Sequence, residues 1–138
     1  DARGDTAAAA AEYLGLAHDQ FMYAEPQRLA GAALLRAGRL AAADSQLAKA
    51  MFLEPTADVA LVRARIAGGQ QNWPFALALL SDAARLEPDR ADVLYQLSLA
   101  QSLVGDARAA RETALRLARL HPQYPLLKAW LATLGIAP

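Results

Sequence analysis

The stretch that decides the fold is Leu53-Glu54-Pro55, because it returns as Leu86-Glu87-Pro88 and again as Leu120-His121-Pro122. The three prolines are 33 and 34 residues apart. Each stretch closes a segment rich in Ala and Leu whose apolar residues follow helical spacing, and proline is excluded from a helix interior. A fixed period of about 34 residues with proline at the junction is typical of stacked helix pairs. The sequence therefore predicts an all-α array of helix-turn-helix repeats.

Composition limits the classes of function. The 138 residues predict a single domain over 1–138. The 14 basic and 14 acidic side chains give a net charge of +0, so the chain lacks the basic excess expected of a protein that binds nucleic acid or a membrane surface. There is no cysteine, which excludes disulfides, thiolate nucleophiles and Cys-ligated zinc. No apolar run reaches the roughly 18 residues of a membrane span. We expect a soluble protein of the bacterial cytoplasm or periplasm.

The sequence predicts five segments, and a glycine turn divides each of the three repeats into two helices. Gly38, the Gly68-Gly69 pair and Gly105 are each predicted to end the first helix of a pair. Arg63 and Arg65 lie about 200° apart on a helix, so one of them is expected to lean towards packed surface. The predicted segments are an N-terminal helix over 6–22, repeats over 24–56, 57–89 and 90–124, and a C-terminal capping helix over 125–135.

The terminal elements of a repeat array need a cover over their apolar faces. The predicted C-terminal helix carries several large apolar residues with no obvious partner in the sequence. Exposed apolar patches of this kind indicate interaction sites. This gives the hypothesis of self-association through Leu127, Trp130 and Leu131.

Residue patterns for catalysis are missing from the sequence. It has no Ser/His/Asp or Cys/His set and no phosphate-cradling glycine loop, since no strand precedes Gly68-Gly69. The two histidines, His18 and His121, have no metal-ligand spacing. We therefore expect no enzymatic activity, no metal and no cofactor.

The three phased segments resemble the tetratricopeptide repeat family, whose units are helix-turn-helix pairs of about 34 residues. The resemblance extends from about Ala24 to Tyr124. In the second repeat Arg63 falls at or beside the leucine position of the family pattern, and Leu and Ala replace most of the family's aromatic residues. The matching residues are Gly31, Leu34, Gly38, Ala43, Ala50 and Pro55 in the first repeat, Ala76, Ala83 and Pro88 in the second, and Leu94, Leu97, Gly105, Ala110 and Pro122 in the third.

This resemblance implies a superhelical stack that binds a peptide or protein segment in a concave groove lined by the first helix of each pair. Members that bind acidic C-termini of chaperones use a carboxylate clamp of Lys, Asn and Arg, but this chain has Leu and Ala where Asn and Lys are needed. The expected ligand is instead an extended or helical segment with apolar anchors and an acidic group. The implied groove residues are Arg28, Ala32 and Leu35 in the first repeat, Leu61 and Arg65 in the second, and Tyr95, Gln96 and Leu99 in the third.

Two narrower roles stay open at this point. Three repeats with a flanking helix at each end also resemble the small secretion chaperones of bacteria. The chain is also compatible with a repeat segment of a larger envelope assembly or export protein. All three hypotheses share a protein or peptide partner, and none includes nucleic acid.

Overall fold

The structure, a computed structural model, describes residues 2–20 and 23–137. This part of the chain forms eight α-helices and no β-strand. The predicted all-α fold of three helix-turn-helix repeats with a flanking helix at each end is confirmed. The helices are α1 (Ala2–Asp19), α2 (Ala24–Arg36), α3 (Leu40–Leu53), α4 (Ala57–Gly69), α5 (Trp73–Leu86), α6 (Ala91–Leu103), α7 (Ala107–Leu120) and α8 (Leu127–Thr133).

The recurring Leu-x-Pro stretches end the second helix of each pair. Helices α3, α5 and α7 stop at the leucine, and the next residue leaves helical geometry, with ψ of 97° at Glu54, 84° at Glu87 and 65° at His121. The physical cause is the following proline, whose ring disfavours helical geometry in the residue before it. The junctions therefore follow from local sequence alone.

Within each pair a short turn with one left-handed residue joins the two helices. Gly38 and Gly105 take this role with φ of 76° and 90°. The prediction that Gly68-Gly69 ends its helix is confirmed, since α4 stops at Gly69, but the left-handed residue of this turn is Gln71, with a φ of 58°. Gly68 is needed for packing, since a Cβ there would lie 2.9 Å from Cζ3 of the Trp73 ring.

The chain divides into two compact units, Asp1–Ile66 and Ala67–Pro138, with the boundary inside α4. The prediction of a single domain over 1–138 is not tested by this division and stays a prediction. In the first unit, α2 packs against both α1 and α3. Gly31 allows the close approach of α3, because a Cβ at that position would lie 2.6 Å from Leu47 Cγ. The core of this unit is the cluster Ala10, Ala33, Leu34, Ala43, Leu47, Val59 and Ile66.

The second unit packs α6 against α5 and α7, and α7 against α8. Its hydrophobic cluster contains Leu94, Leu117 and Leu127. A buried polar chain crosses this unit: Trp130 Nε1 donates to Ser98 Oγ at 2.8 Å, and Ser98 Oγ donates to the Ala110 carbonyl at 2.7 Å. Three elements are thereby fixed through one hydroxyl group.

The C-terminal segment corrects a premise of the self-association hypothesis. That hypothesis required exposed apolar side chains, but Leu127 is only 6% exposed and Trp130 only 8% exposed. Leu131 is half-buried against the same cluster. The physical reason is that the Trp130 ring packs on α6. It contacts the Tyr95 ring there, and its N–H donates a hydrogen bond to Ser98. The apolar stripe of α8 is therefore internal packing.

The two flanking helices also differ in extent from their predicted ranges. Helix α1 begins at Ala2, which places Asp5 in its first turn beside the positive end of the helix dipole. The predicted end of this helix at Met22, together with Phe21 of its apolar stripe, lies outside the described residues. Helix α8 covers only Leu127–Thr133, because Pro125 and Leu126 form a turn before it and Gly135 ends it with a φ of 72°.

Candidate functional site

Helix α2 has one buried and one accessible side. Ala30, Ala33 and Leu34 are fully buried, and their spacing of three and four residues sets the inward stripe. The accessible side carries Arg28 and Arg36, which are exposed, with the half-buried Ala32 and Leu35 between them. The sequence-predicted residues of the first repeat therefore share one surface.

A groove of about 210 Å³, the α2–α4 groove, lies along this surface. Val59 and Val62 of α4 form its far apolar wall, and Leu47 of α3 contributes to the lining. The lining residues are Arg28, Ala32, Leu35, Arg36, Leu47, Asp58, Val59 and Val62. Three of the eight predicted groove residues, Arg28, Ala32 and Leu35, are brought together here.

The charged groups of the α2–α4 groove are mostly cationic. Arg28 pairs with Glu25 of its own helix, with Nη2 and Oε1 2.7 Å apart, and its side chain is 48% exposed. Arg28 Nε also donates to Glu25 Oε2 at 3.1 Å, but the pair is open to solvent, so a ligand carboxylate can compete with Glu25 for the guanidinium. Arg36 is exposed at the end of the same helix, and Asp58 is the single carboxylate among the lining residues described. An acidic ligand group is favoured at the arginine side.

Helix α4 resolves the ambiguity of the two arginines. Arg63 is the one that leans towards packed surface: its side chain is 14% exposed and its Nε donates to Asp44 Oδ1 of α3 at 2.8 Å. Arg65 is exposed to solvent. The arrangement leaves Arg65 available to a ligand and gives Arg63 the role of joining two helices.

Leu61 does not belong to an accessible surface. Its side chain is only 3% exposed, so it is closed to a ligand. Sequence reasoning missed Asp58 and Val62, which line the groove one helical turn apart. The burial of Leu61 had a signal in the sequence. Leu61 occupies the position that Arg28 has in the first repeat, and a leucine is more often buried than exposed to a ligand.

The predicted residues of the third repeat lie in the second unit. Tyr95, Gln96 and Leu99 are half-buried on α6. The Tyr95 ring is occupied by aromatic packing, with its centroid 5.6 Å from that of Tyr124 and 6.1 Å from that of Trp130. Both distances fall within the usual range of favourable ring pairs. Tyr95 therefore anchors the C-terminal segment through its ring contacts.

Two further properties of the described chain bear on the site. Within residues 2–20 and 23–137, no three His, Cys, Asp or Glu side chains lie together in a way that could hold a metal ion. None of the described helices has the length and apolar character required to cross a membrane.

Comparison with known proteins gives a structural likeness. No family model matches the sequence, and no curated protein matches it. The crystal structure of MamA superposes with a TM-score of 0.85 at 19% identity, covering 95% of this chain and 77% of that one. YrrB, described as a TPR protein with an unusual peptide-binding site, gives 0.79 at 15% identity over 94% of this chain and 70% of its own.

A third similar structure is a complex with a peptide. The first TPR of Spaghetti (RPAP3), bound to the HSP90 peptide SRMEEVD, superposes with a TM-score of 0.73 at 16% identity, covering 81% of this chain and 90% of that one. At identities this low, the superpositions establish the architecture of the chain alone. Together with the 33- and 34-residue period and the three equivalent junctions, they show that this chain has the tetratricopeptide repeat fold.

Proposed function

We propose that this protein is an interaction scaffold that binds a peptide or protein segment in the α2–α4 groove. The observation that carries the proposal is an apolar strip, contributed by α2 and α4, that lies beside two exposed arginines of α2. Ala32, Leu35 and Val62 supply the strip, and Arg28 and Arg36 flank it. Two of the structurally similar proteins are described as binding peptides, which supports the same use of the fold.

The chemistry of the groove specifies the ligand. An apolar side chain of the ligand would bury against Leu35 and Val62, which stabilises binding by the hydrophobic effect. A carboxylate of the ligand would pair with Arg28, whose fork geometry suits carboxylates. The ligand is therefore an extended or helical segment with an apolar anchor and a nearby acidic residue.

The test uses peptides selected on the protein itself. A displayed library of 12-residue peptides is selected on the wild-type protein, and the enriched peptides are titrated by calorimetry. Ala32→Glu should weaken binding by about tenfold or more, because it places bulk and negative charge in the groove. Arg28→Ala should weaken it several-fold, and more for peptides with a carboxylate than for their amide counterparts.

The matched control is Arg39→Ala, which removes an exposed arginine outside the groove. It should leave affinity unchanged. If neither Ala32→Glu nor Arg28→Ala changed the peptide affinity, the proposal would be refuted. The folding state of the isolated natural partner separates the two narrower roles. If the protein is a secretion chaperone, the partner should be unfolded when alone. If it belongs to an envelope assembly, the partner should be folded.

A further inference from the structure

A second and larger groove opens in the first unit between α1 and α3. It has a volume of about 980 Å³ and shares no lining residue with the α2–α4 groove. Gln27 of α2 contributes from between the two walls. This surface, the α1–α3 groove, is independent of the proposed function and is not explained by it.

The walls of the α1–α3 groove are apolar and one large side chain stands open. Leu14 and Ala17 line it from α1, and Ala48, Phe52 and Leu53 line it from α3. Phe52 is 87% exposed. A phenylalanine that exposed, next to a concave apolar surface, indicates an interaction site rather than ordinary surface variation.

The groove also holds an unsatisfied polar atom. The side-chain oxygen of Gln46 is buried and has no hydrogen-bond partner among the described residues. By contrast, the neighbouring Gln27 amide donates to the Ala17 carbonyl at 2.8 Å. A buried carbonyl oxygen without a hydrogen-bond partner destabilises the unbound protein.

Charge defines the ligand further. Lys49 and His18 line the groove from opposite walls, and neither forms an ion pair within the described chain. No carboxylate lines the groove among the residues described. The surface complementary to it is therefore apolar with negative charge at its edge.

The dimensions fit a helix. Lining residues of α3 extend from Ser45 to Leu53, which corresponds to two helical turns, or about 12 Å. A helix about 10 Å wide can lie along a stretch of this length with one face in the groove. We propose that the α1–α3 groove binds an amphipathic helix of a partner protein, with its apolar face on Phe52 and Leu53 and an acidic residue paired with Lys49.

The experiment uses two synthetic helical peptides as probes. Both carry Leu at positions i, i+3, i+4 and i+7, one with Glu and the other with Lys at the flanking positions, and both are labelled with fluorescein. Fluorescence anisotropy of the wild-type protein should show binding of the Glu peptide about tenfold tighter than of the Lys peptide. Phe52→Ala should weaken the Glu peptide by about tenfold. Lys49→Glu should reverse the preference between the two peptides.

Matched controls isolate the groove. Lys128→Glu makes the same charge change at an exposed residue of α8, and Arg39→Ala removes an exposed arginine that lines neither groove. Both should leave the peptide affinities unchanged, with helicity checked by circular dichroism. Equal binding of the two peptides, or a preference that Lys49→Glu fails to reverse, would overturn the proposal. A concentration-dependent dimer in sedimentation velocity that Phe52→Ala abolishes would also overturn it, because the occupant would then be a second copy of this chain.

Discussion

Ser98 shows how one small side chain holds the second unit together. It is fully buried, accepts from Trp130 and donates to Ala110. Ser98→Ala leaves the Trp130 N–H buried without a partner, which should lower the free energy of unfolding by about 1–3 kcal/mol. Urea denaturation followed by circular dichroism measures this change. The control is Ser81→Ala, whose hydroxyl bonds to Leu77 on an exposed surface and whose loss should change stability by less than about 0.5 kcal/mol.

Two glycines inside helices are expected to respond oppositely to alanine. At Gly31 the added Cβ would meet Leu47 Cγ at 2.6 Å and its backbone nitrogen at 3.3 Å, so α3 would have to move. Overpacking of this kind costs about 1–3 kcal/mol, which outweighs the gain in helix propensity of about 1 kcal/mol. At Gly15 nothing lies within 4 Å, so Gly15→Ala should stabilise by up to about 1 kcal/mol.

Thermal unfolding of the two glycine variants side by side tests this difference. The expectation is a lower melting temperature for Gly31→Ala and a higher one for Gly15→Ala. If Gly31→Ala were stabilising, the distance between α2 and α3 would have to be larger than the structure gives.

At the scale of the element, the second helices of the three pairs begin in the same way. Arg39, Asn72 and Asp106 are their N-caps, with φ of −94°, −92° and −93° and ψ of 75°, 72° and 75°. Asn72 accepts from the Phe75 N–H at 3.4 Å and Asp106 from the Ala109 N–H at 3.1 Å. Arg39 makes no side-chain cap.

Arg39→Asn should therefore stabilise the protein by about 0.5–1 kcal/mol, because the backbone already has the geometry in which asparagine caps a helix. Arg39→Ala serves as the control, since it removes the arginine without supplying an acceptor, and it should be close to neutral. The reverse change, Asp106→Ala, should destabilise by about 0.5–2 kcal/mol. Chemical denaturation of the three variants measures their free energies of unfolding. Equal stabilities for Arg39→Asn and Arg39→Ala would contradict the predicted capping effect.

The same elements show what the sequence could and could not predict. The Leu-x-Pro junctions and the turns at Gly38 and Gly105 obey local backbone rules, so periodicity and residue type sufficed. The Gly68-Gly69 pair marked the end of α4 correctly, but the left-handed residue of the turn is Gln71. Gly68 also leaves room for the Trp73 ring, and the local pattern gave no sign of that contact.

The residues of the candidate site show the same difference between local and long-range effects. Arg28, Ala32 and Leu35 share a helix face, and helical periodicity alone brings them together. Leu61 and Trp130 were misassigned as accessible because burial depends on residues distant in sequence, and Ser98 is 32 positions from the tryptophan that it binds. Asp58, Val62 and Phe52 were missed for the same reason.

At the scale of the whole molecule, stability in a repeat array is a sum of local packing terms between neighbouring elements. The described chain has separate hydrophobic clusters in its two compact units. Leu34 belongs to the first cluster and Leu117 to the second, and both are fully buried. Either leucine changed to alanine should cost about 2–5 kcal/mol through lost contacts and a cavity.

The distribution of that cost is the informative quantity. Hydrogen exchange followed by mass spectrometry should show that Leu34→Ala lowers protection mainly in peptides from residues 24–66, whereas Leu117→Ala lowers it mainly in peptides from 91–134, because local opening draws on the packing of the unit that opens. A uniform loss of protection in both variants would mean that the chain unfolds as one cooperative body. In that event the grooves of the first unit would depend on α6 and α7 for their stability, and Leu117→Ala would weaken peptide binding without touching a lining residue.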